Sequence, residues 1–448
     1  MKTHPTASEK RTRFFSMLIL VVLFFIFGLV SWVNTILIPY FKLTCELTVM
    51  QSYLVTFAFY IAYLLMAIPS SFLLNKVGYK RGIMYGLWMM ALGALLFVPA
   101  AYWRTYELFL LGLFMLGIGL AILQSAANPY VTIIGPRESA ARRLSIVGTG
   151  NKLAGIIANL VFAAVVISES DKVLMQQIKG GLFTGVELET ALDTLIRGVM
   201  VPYAVLGIFL FIFGIIIRYS MLPDLDAKEV NRNTSGEVDT RTSVFQYPWL
   251  VLGALAIFFH VGSQMISLAT VIEYAGTMGL SLDSNAKNFP SFTMFFTFLG
   301  YLSGIVLIPK YLNQKNALLI CASLGLLFSL LTILVSGPVN IFGLNTDISI
   351  WFLVLMGYPN ALIYTGIWPL AIRDLGKYTN LGSSFLVMGL SGSAVLPLVF
   401  SYVVKLNDTL PMFDAYKFAY WVLVPCFLYL IFYATVGHKI KYWSKSSR

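Results

Sequence analysis

Apolar residues in this chain gather into long, nearly unbroken runs, not into the period-two alternation of a half-buried strand or the one-sided stripe of a surface helix. Twelve of these runs approach or exceed the roughly 20 helical residues needed to cross about 30 Å of hydrocarbon. They lie near 14–40, 48–74, 82–101, 108–133, 144–168 and 198–220, and then near 247–272, 290–309, 317–336, 348–371, 382–404 and 416–437. The pattern predicts an all-α membrane protein with twelve transmembrane helices.

The runs fall six and six around one long polar stretch, 222–246, which is mixed in charge and poor in apolar residues and reads as a linker. The implied division is an N-terminal six-helix half (1–221), a cytoplasmic linker (222–246) and a C-terminal six-helix half (247–448). The halves repeat each other weakly. LLNKVGYKRG follows the second run and VLIPKYLNQKN the eighth, and the fourth and tenth runs each place a proline shortly before a loop glycine, Pro129 with Gly135 and Pro369 with Gly376. Parallel six-helix repeats flanking a central loop are the arrangement of the major facilitator fold, in which the substrate site lies between the halves near the midplane. The segment 169–197 joins the fifth and sixth runs and sets Glu187, Glu189 and Asp193 beside an apolar pattern; it is expected to form a short surface helix covering those two spans.

Composition narrows the reading further. The 448 residues are 58% hydrophobic and 11% charged, far from the roughly 25% charge of soluble domains. A net charge of +11 could suggest a nucleic-acid partner, but its distribution argues for topology. With the N-terminus in the cytoplasm, most Lys and Arg fall on the cytoplasmic side, in clusters at Lys10, Arg11 and Arg13; Lys76, Lys80 and Arg81; Arg137, Arg142 and Arg143; and Lys439, Lys441, Lys445 and Arg448. That is the positive-inside bias of a chain embedded in a lipid bilayer with both termini cytoplasmic. Cys45, Cys321 and Cys426 lie far apart and offer neither a disulfide framework nor metal-ligand spacing. The first apolar run is about twice the length of a signal-peptide core, so it reads as a retained span.

Function is then sought among the polar groups inside the spans, because burying such groups in hydrocarbon is costly. The interiors hold one lysine, Lys152, one histidine, His260, and no aspartate or glutamate. In the first span Ser31 and Thr35 share a face with Asn34 beside them, and Trp32 offers either an aromatic plane for a sugar ring or an interfacial anchor. Gln124 and Asn128 stand one turn apart in the fourth span, where Pro129 frees a backbone carbonyl. Lys152 follows Asn151 about eight residues into the fifth span, roughly 12 Å deep at 1.5 Å per residue. It can donate to sugar hydroxyls, stand in for a coupling cation, or itself exchange a proton. His260, Gln264 and Ser267 form a polar stripe on the seventh span, and Asn360, Tyr364 and Trp368 put an amide, a phenol and an indole on one face of the tenth. Helix-to-helix hydrogen bonding is the competing reading for each of these groups. Lys152 and His260 are the candidates for ion coupling.

The strings AILQSAANPYVTIIGPRESAARR (Ala121 to Arg143), VNTILIPYFK (Val33 to Lys42) and LGKYTNLGSSFLVMGLSG (Leu375 to Gly392) carry a family resemblance. The chain resembles the fucose permease family of major facilitators, and within it most resembles the bacterial glucose/galactose transporter branch. The resemblance implies an importer of a monosaccharide in a bacterial inner membrane, working by alternating access, with no cofactor and with a monomer sufficient. Glucose or galactose is the first expectation, and fucose, N-acetylglucosamine or another sugar the alternative. It also places Asn151 where the family has an asparagine in its sugar cavity. The proton-coupled fucose carriers have an aspartate in the first span and a glutamate in the fourth; here Thr35 and Gln124 stand in those places. Neither titrates near neutral pH, so sugar hydrogen bonding carries over while coupling through that pair does not. Proton coupling through another group, sodium coupling and uniport all remain open. A membrane enzyme would need positioned acids, bases or metals, which the interior does not offer, and a transport-silent sugar sensor would be expected to carry a signalling domain.

Overall fold

In this computed structural model the described residues are 7–47, 49–166, 169–220, 222, 241–280 and 288–443. Within them the backbone alone is described for 7–13, 32–40, 42, 49–53, 56, 158–166, 169–170, 172, 176 and 179. Most of the linker, 223–240, therefore lies outside the described residues.

The first apolar runs become α1 (Ala7–Thr44), α2 (Val49–Val77), α3 (Tyr79–Tyr102), α4 (Tyr106–Ile133) and α5 (Ala140–Val166). The segment expected to hold one surface helix holds two, α6 (Glu169–Lys179) and α7 (Val186–Arg197), and α8 (Met200–Tyr219) follows. After the linker come α9 (Pro248–Ala269), a short α10 (Val271–Thr277), α11 (Phe289–Leu307) and α12 (Gln314–Leu334). A hairpin of β1 (Pro338–Ile341) and β2 (Leu344–Asp347) precedes α13 (Ile348–Leu355) and α14 (Gly357–Ala371). The chain then continues through α15 (Thr379–Met388), α16 (Gly392–Leu406), α17 (Met412–Ala419) and α18 (Leu423–Thr435). Among the described residues eleven helical stretches are long and apolar enough to cross a membrane. The expected fifth span corresponds to α5, part of whose side chains lie outside the described set.

Three expected spans are broken helices, and each break has a local cause. Span 348–371 divides at Met356, where Gly357 lies against the Thr293 carbonyl of α11 and Pro359 cannot donate to the preceding turn. Span 382–404 passes through a 3₁₀ turn at Gly389–Ser391, where a Cβ on Gly392 would collide with the Phe258 carbonyl of α9. Span 416–437 has a 3₁₀ turn at Tyr420–Val422 just before Pro425. The β-hairpin was not foreseen from hydrophobicity. Its two-residue turn places both Phe342 (φ 54°) and Gly343 (φ 77°) in the left-handed region that such tight turns demand.

The chain forms two compact units. One comprises Met1–Ala127 and Leu153–Ala227, the other Asn128–Lys152 and Lys228–Arg448. The expected division by spans and this division by packing differ over 128–152, a segment that packs with the C-terminal residues.

In the first unit α3 and α8 pack along their lengths. Phe97 stacks on Tyr203 at 4.0 Å and Trp88 on Phe211 at 5.3 Å. In the surface segment expected to cover the fifth and sixth spans, α7 packs on α3 and α1. Arg104, in the α3–α4 turn, ties it down by binding Glu189 at 2.6 Å, Asp193 at 3.1 Å and Glu46 at 3.9 Å. The hydrogen bond with Glu189 and the fields of Glu189 and Asp193 hold the guanidinium pKa above its ordinary value, against the opposing pull of desolvation. Beside Glu46, burial pushes the Cys45 thiol up to about 11, so it stays protonated at neutral pH.

In the second unit α9 packs on α14, α16 and α18, and α14 packs on α11 and α12. The segment 128–152 is held to this bundle by Gln314, whose Oε1 accepts from the Ala141 amide at 3.0 Å while its Nε2 donates to the Arg137 carbonyl at 2.9 Å. Arg137 also pairs with Asp374 at 3.0 Å.

Several basic residues that the positive-inside count treats as topology are helix caps. Lys80 donates to the Ser220 carbonyl at 2.7 Å just after α8, and Lys417 donates to Val335 O at 2.9 Å after α12 and to the Ser336 hydroxyl. Arg143 is the most extensive. Buried, it donates to the carbonyls of Val131 (2.7 Å), Thr132 (2.6 Å), Gly135 (3.3 Å) and Pro136 (2.8 Å) and to Ser139 Oγ (2.8 Å). It thereby satisfies carbonyls left open where α4 ends. Only the five-donor fork of arginine can do this from one position. Arg143→Gln is expected to destabilise the protein by about 3 kcal/mol, the scale of a lost charge-assisted cap over buried carbonyls, whereas the exposed Arg142→Gln should stay within about 0.5 kcal/mol. Thermal melts of the two purified variants, followed by circular dichroism, compare them directly.

Candidate functional site

Residue 364 is the centre of the site in the second unit. Its phenol lies half-buried on α14, one turn from Asn360 and one turn from Trp368, because α14 carries these three at helical spacing on one face. The Tyr364 and Trp368 rings are tilted against each other with centroids 5.7 Å apart, and the His260 ring from α9 lies 6.5 Å from Tyr364. From the C-terminal part of α4, Asn128 donates through Nδ2 to the Tyr364 hydroxyl at 3.0 Å. Pro129 follows directly and withholds the N–H that would bond the Ser125 carbonyl, while Thr132 Oγ1 donates to the Asn128 carbonyl at 2.8 Å. Lys152 of α5 is buried and lies within electrostatic reach of His260. Two helices of the 128–152 segment and two of the C-terminal part thus contribute to one constellation.

What distinguishes this group is unmet hydrogen-bonding capacity. Among the described residues, Asn128 Oδ1, His260 Nδ1, Trp368 Nε1 and both amide atoms of Asn360 are buried without a hydrogen-bond partner. Buried polar groups are nearly always paired, and leaving one open costs about 1–3 kcal/mol. The open atoms include an indole that can only donate, a carbonyl oxygen that can only accept and an amide that does both. A ligand with hydroxyl groups, each donor and acceptor, meets all of them, and the paired aromatic faces of Tyr364 and Trp368 suit an apolar ring face.

The other sequence candidates fall as follows. Gln264 is half-buried one turn along α9 from His260. Ser267, which completed the expected stripe, instead donates to the Gln264 carbonyl at 2.8 Å, as Ser263 does to that of His260, so both hydroxyls are turned back onto their own helix. Asn151 is half-buried on α5 beside Lys152. In the first unit Gln124 donates through Nε2 to the Tyr63 hydroxyl at 3.3 Å, and Tyr63 stacks on Tyr60 at 6.1 Å. Trp32, Asn34 and Thr35 lie on α1, with side chains outside the described residues. Sequence reasoning passed over Tyr60 and Tyr63. Their only signal is two phenols three residues apart in an otherwise apolar run, where one helix face carries both.

Comparison with known proteins identifies the family. The profile of the Major Facilitator Superfamily matches residues 20–397. A glucose/galactose transporter of Brucella abortus is 30% identical over 439 residues, covering 97% of each chain. The L-fucose-proton symporter of Escherichia coli is 30% identical over 410 residues, covering 90% of each. A crystal structure of the Escherichia coli fucose:proton symporter superposes with a TM-score of 0.78 at 27% identity, covering 94% of this chain and 98% of that one. An all-α fold of membrane-length helices and extended likeness to both transporters lead to one assignment: the chain belongs to the major facilitator superfamily, in the fucose permease family that holds fucose-proton symporters and glucose/galactose transporters.

Proposed function

We propose that this protein imports a monosaccharide, glucose or galactose first, across the inner membrane of a bacterium by alternating access, with its basic loops and both termini in the cytoplasm and one chain as the working unit. The observation that carries the reading is the set of open hydrogen-bonding atoms around Tyr364, on Asn128, His260, Asn360 and Trp368. A donor-only indole, two amides and an imidazole beside aromatic planes match the hydroxyl edges and apolar ring face of a sugar directly. The family supports it, since its relatives are named as carriers of glucose, galactose and fucose. Fucose and N-acetylglucosamine are the alternative cargoes, because one hydroxyl or methyl in a pocket shifts preference by only about 1–3 kcal/mol when the contact is apolar.

Coupling rests on Lys152 and His260. The residues standing at the family's acidic positions, Thr35 and Gln124, carry no exchangeable charge. The two nitrogen bases in the second unit lie within each other's field. A proton taken up by either one raises the cost of charging the other, which makes the pair able to link an ion gradient to the state of the sugar cavity.

Counterflow of radiolabelled glucose in proteoliposomes, with pH, sodium and membrane potential scanned against unlabelled competitor sugars, tests the reading. Uptake of glucose or galactose that follows an imposed gradient is the expected result and names the ion, exchange indifferent to every gradient would make the protein a uniporter, and no exchange with any sugar would remove the cargo assignment. Trp368→Phe keeps the ring and removes the indole donor. It is expected to weaken sugar binding about tenfold, the worth of roughly one hydrogen bond, with the melting temperature unchanged, as read by equilibrium binding of labelled sugar. Asn34→Ala and Gln124→Ala are expected to weaken binding in the same assay without loss of folded protein; full affinity in both would take the first and fourth spans out of the site. Lys152→Met should alter the pH or ion dependence of uptake more than it alters the yield of folded protein, and a parental pH profile would remove Lys152 from the mechanism.

A further inference from the structure

Arg241, at the end of the linker, is enclosed by three aromatic rings. Its guanidinium carbon lies 4.4 Å from the ring centre of Tyr247, 4.9 Å from that of Trp249 and 5.5 Å from that of Tyr442, and Nη2 donates to the Lys441 carbonyl at 3.2 Å. A cation over aromatic faces is held by the ring quadrupoles, so this residue fastens the chain after the linker to the C-terminal tail. A second tie runs beside it, from Trp443 Nε1 to the Phe245 carbonyl at 2.6 Å.

The same two inner rings reach the loop after α14. Trp249 Nε1 donates to the Arg373 carbonyl at 3.1 Å, and the Tyr247 hydroxyl donates to the Leu375 carbonyl at 3.4 Å. Those carbonyls flank Asp374, which stands at φ 56°, in the left-handed region that Asp enters more readily than most side chains and that turns the chain sharply there. Arg373 points away from its neighbour and donates to the His438 carbonyl at 2.9 Å. Asp374 is thus turned toward Arg137 of the 128–152 segment, 3.0 Å away, in a pair that is largely exposed. An exposed ion pair of long side chains contributes little unless its geometry is set in advance. Here the setting comes from Tyr247 and Trp249, and what fixes those rings from the other side is Arg241.

We propose that Arg241 is a positioning residue of the transport cycle, and that by filling the Tyr247–Trp249–Tyr442 cage it holds the 372–376 loop so that Asp374 latches Arg137 and keeps the 128–152 segment closed on the C-terminal helices. The proposal rests on the alternating-access reading, in which this latch must release once per cycle. It makes the end of the linker a working part of the latch.

The test uses the full chain in proteoliposomes, with Cys45, Cys321 and Cys426 replaced by serine and one reporter, Ser145→Cys. Ser145 is buried in the closed segment, at the surface that meets Gly304 of α11, and becomes reachable by N-ethylmaleimide only when the segment opens. Arg241→Gln is expected to speed labelling about fivefold, at the low end of ordinary coupling between sites. Tyr442→Leu, which removes an exposed wall of the cage, should act in the same direction, and Arg241→Lys, which keeps a cation there, should restore most of the protection. Asp374→Asn should match Arg241→Gln, and the double variant should add nothing further, because both act on one contact. Labelling at the parental rate in Arg241→Gln when Asp374→Asn raises it, or effects that multiply in the double variant, would overturn the proposal. Unchanged labelling in Asp374→Asn would overturn it by removing the latch itself, and glucose counterflow by the same vesicles reports separately on whether the transport reading stands.

Discussion

Hydrocarbon offers no hydrogen-bond partner, so each backbone or side-chain polar group in the spans must be answered from within the protein. Much of this structure is an answer to that demand. Arg143, Lys80 and Lys417 close helix ends with long cationic side chains. The interruptions at Met356 and at Gly389–Ser391 lie where another helix approaches closely enough to exclude lipid. Thr132 takes over a carbonyl beside Pro129. Single buried hydroxyls at Ser16, Ser70, Ser125 and Ser384 are also left open, but the open atoms of Asn128, His260, Asn360 and Trp368 are gathered around one residue, Tyr364, and carry the proposed sugar site.

Charge is distributed in keeping with the same demand. The carboxylates in ion pairs sit outside the spanning helices, Glu46 in the turn after α1, Glu189 and Asp193 on the surface helix α7 around Arg104, and Asp374 in the loop after α14 on Arg137. Glu273 accepts from the Tyr416 hydroxyl at 2.7 Å, beyond the end of α9. Among the described residues, the basic groups buried away from helix ends in the second unit are instead Lys152 and His260, while Arg143, Lys417 and His438 are buried close to helix ends. Bases and neutral amides grouped in this way suit the neutral, hydroxyl-rich cargo proposed for the site.

The spans and the family were legible in the sequence because length and unbroken apolarity are one-dimensional properties, and because motifs such as AILQSAANPYVTIIGPRESAARR are contiguous. Helical spacing likewise gave the Asn360–Tyr364–Trp368 face and the candidacy of His260 and Lys152. What was not legible depends on which element lies across from which. Asn128 meeting Tyr364, 236 positions away, follows from packing. The seating of α7 on α1 and α3 follows from Arg104, a residue that hydropathy records only as a charge between two spans. The β-hairpin was too short to produce a period, and spacing does not tell that the Ser267 hydroxyl bonds its own preceding turn.

Gln314 holds the 128–152 segment by an amide hydrogen and a carbonyl, the Ala141 N–H and the Arg137 C=O, and touches neither side chain to do so. Such a contact is blind to residue identity on one of its two sides. The two hydrogen bonds do not read the side chains at 137 and 141, so paired substitutions with residue 314 would leave no trace of the link, and what holds position 141 to a small residue is its packing on Ile308 and Ala317. On the side-chain side this tie depends on residue 314 alone, and a survey that infers spatial neighbours from correlated change would overlook one of the ties on which the second unit is built.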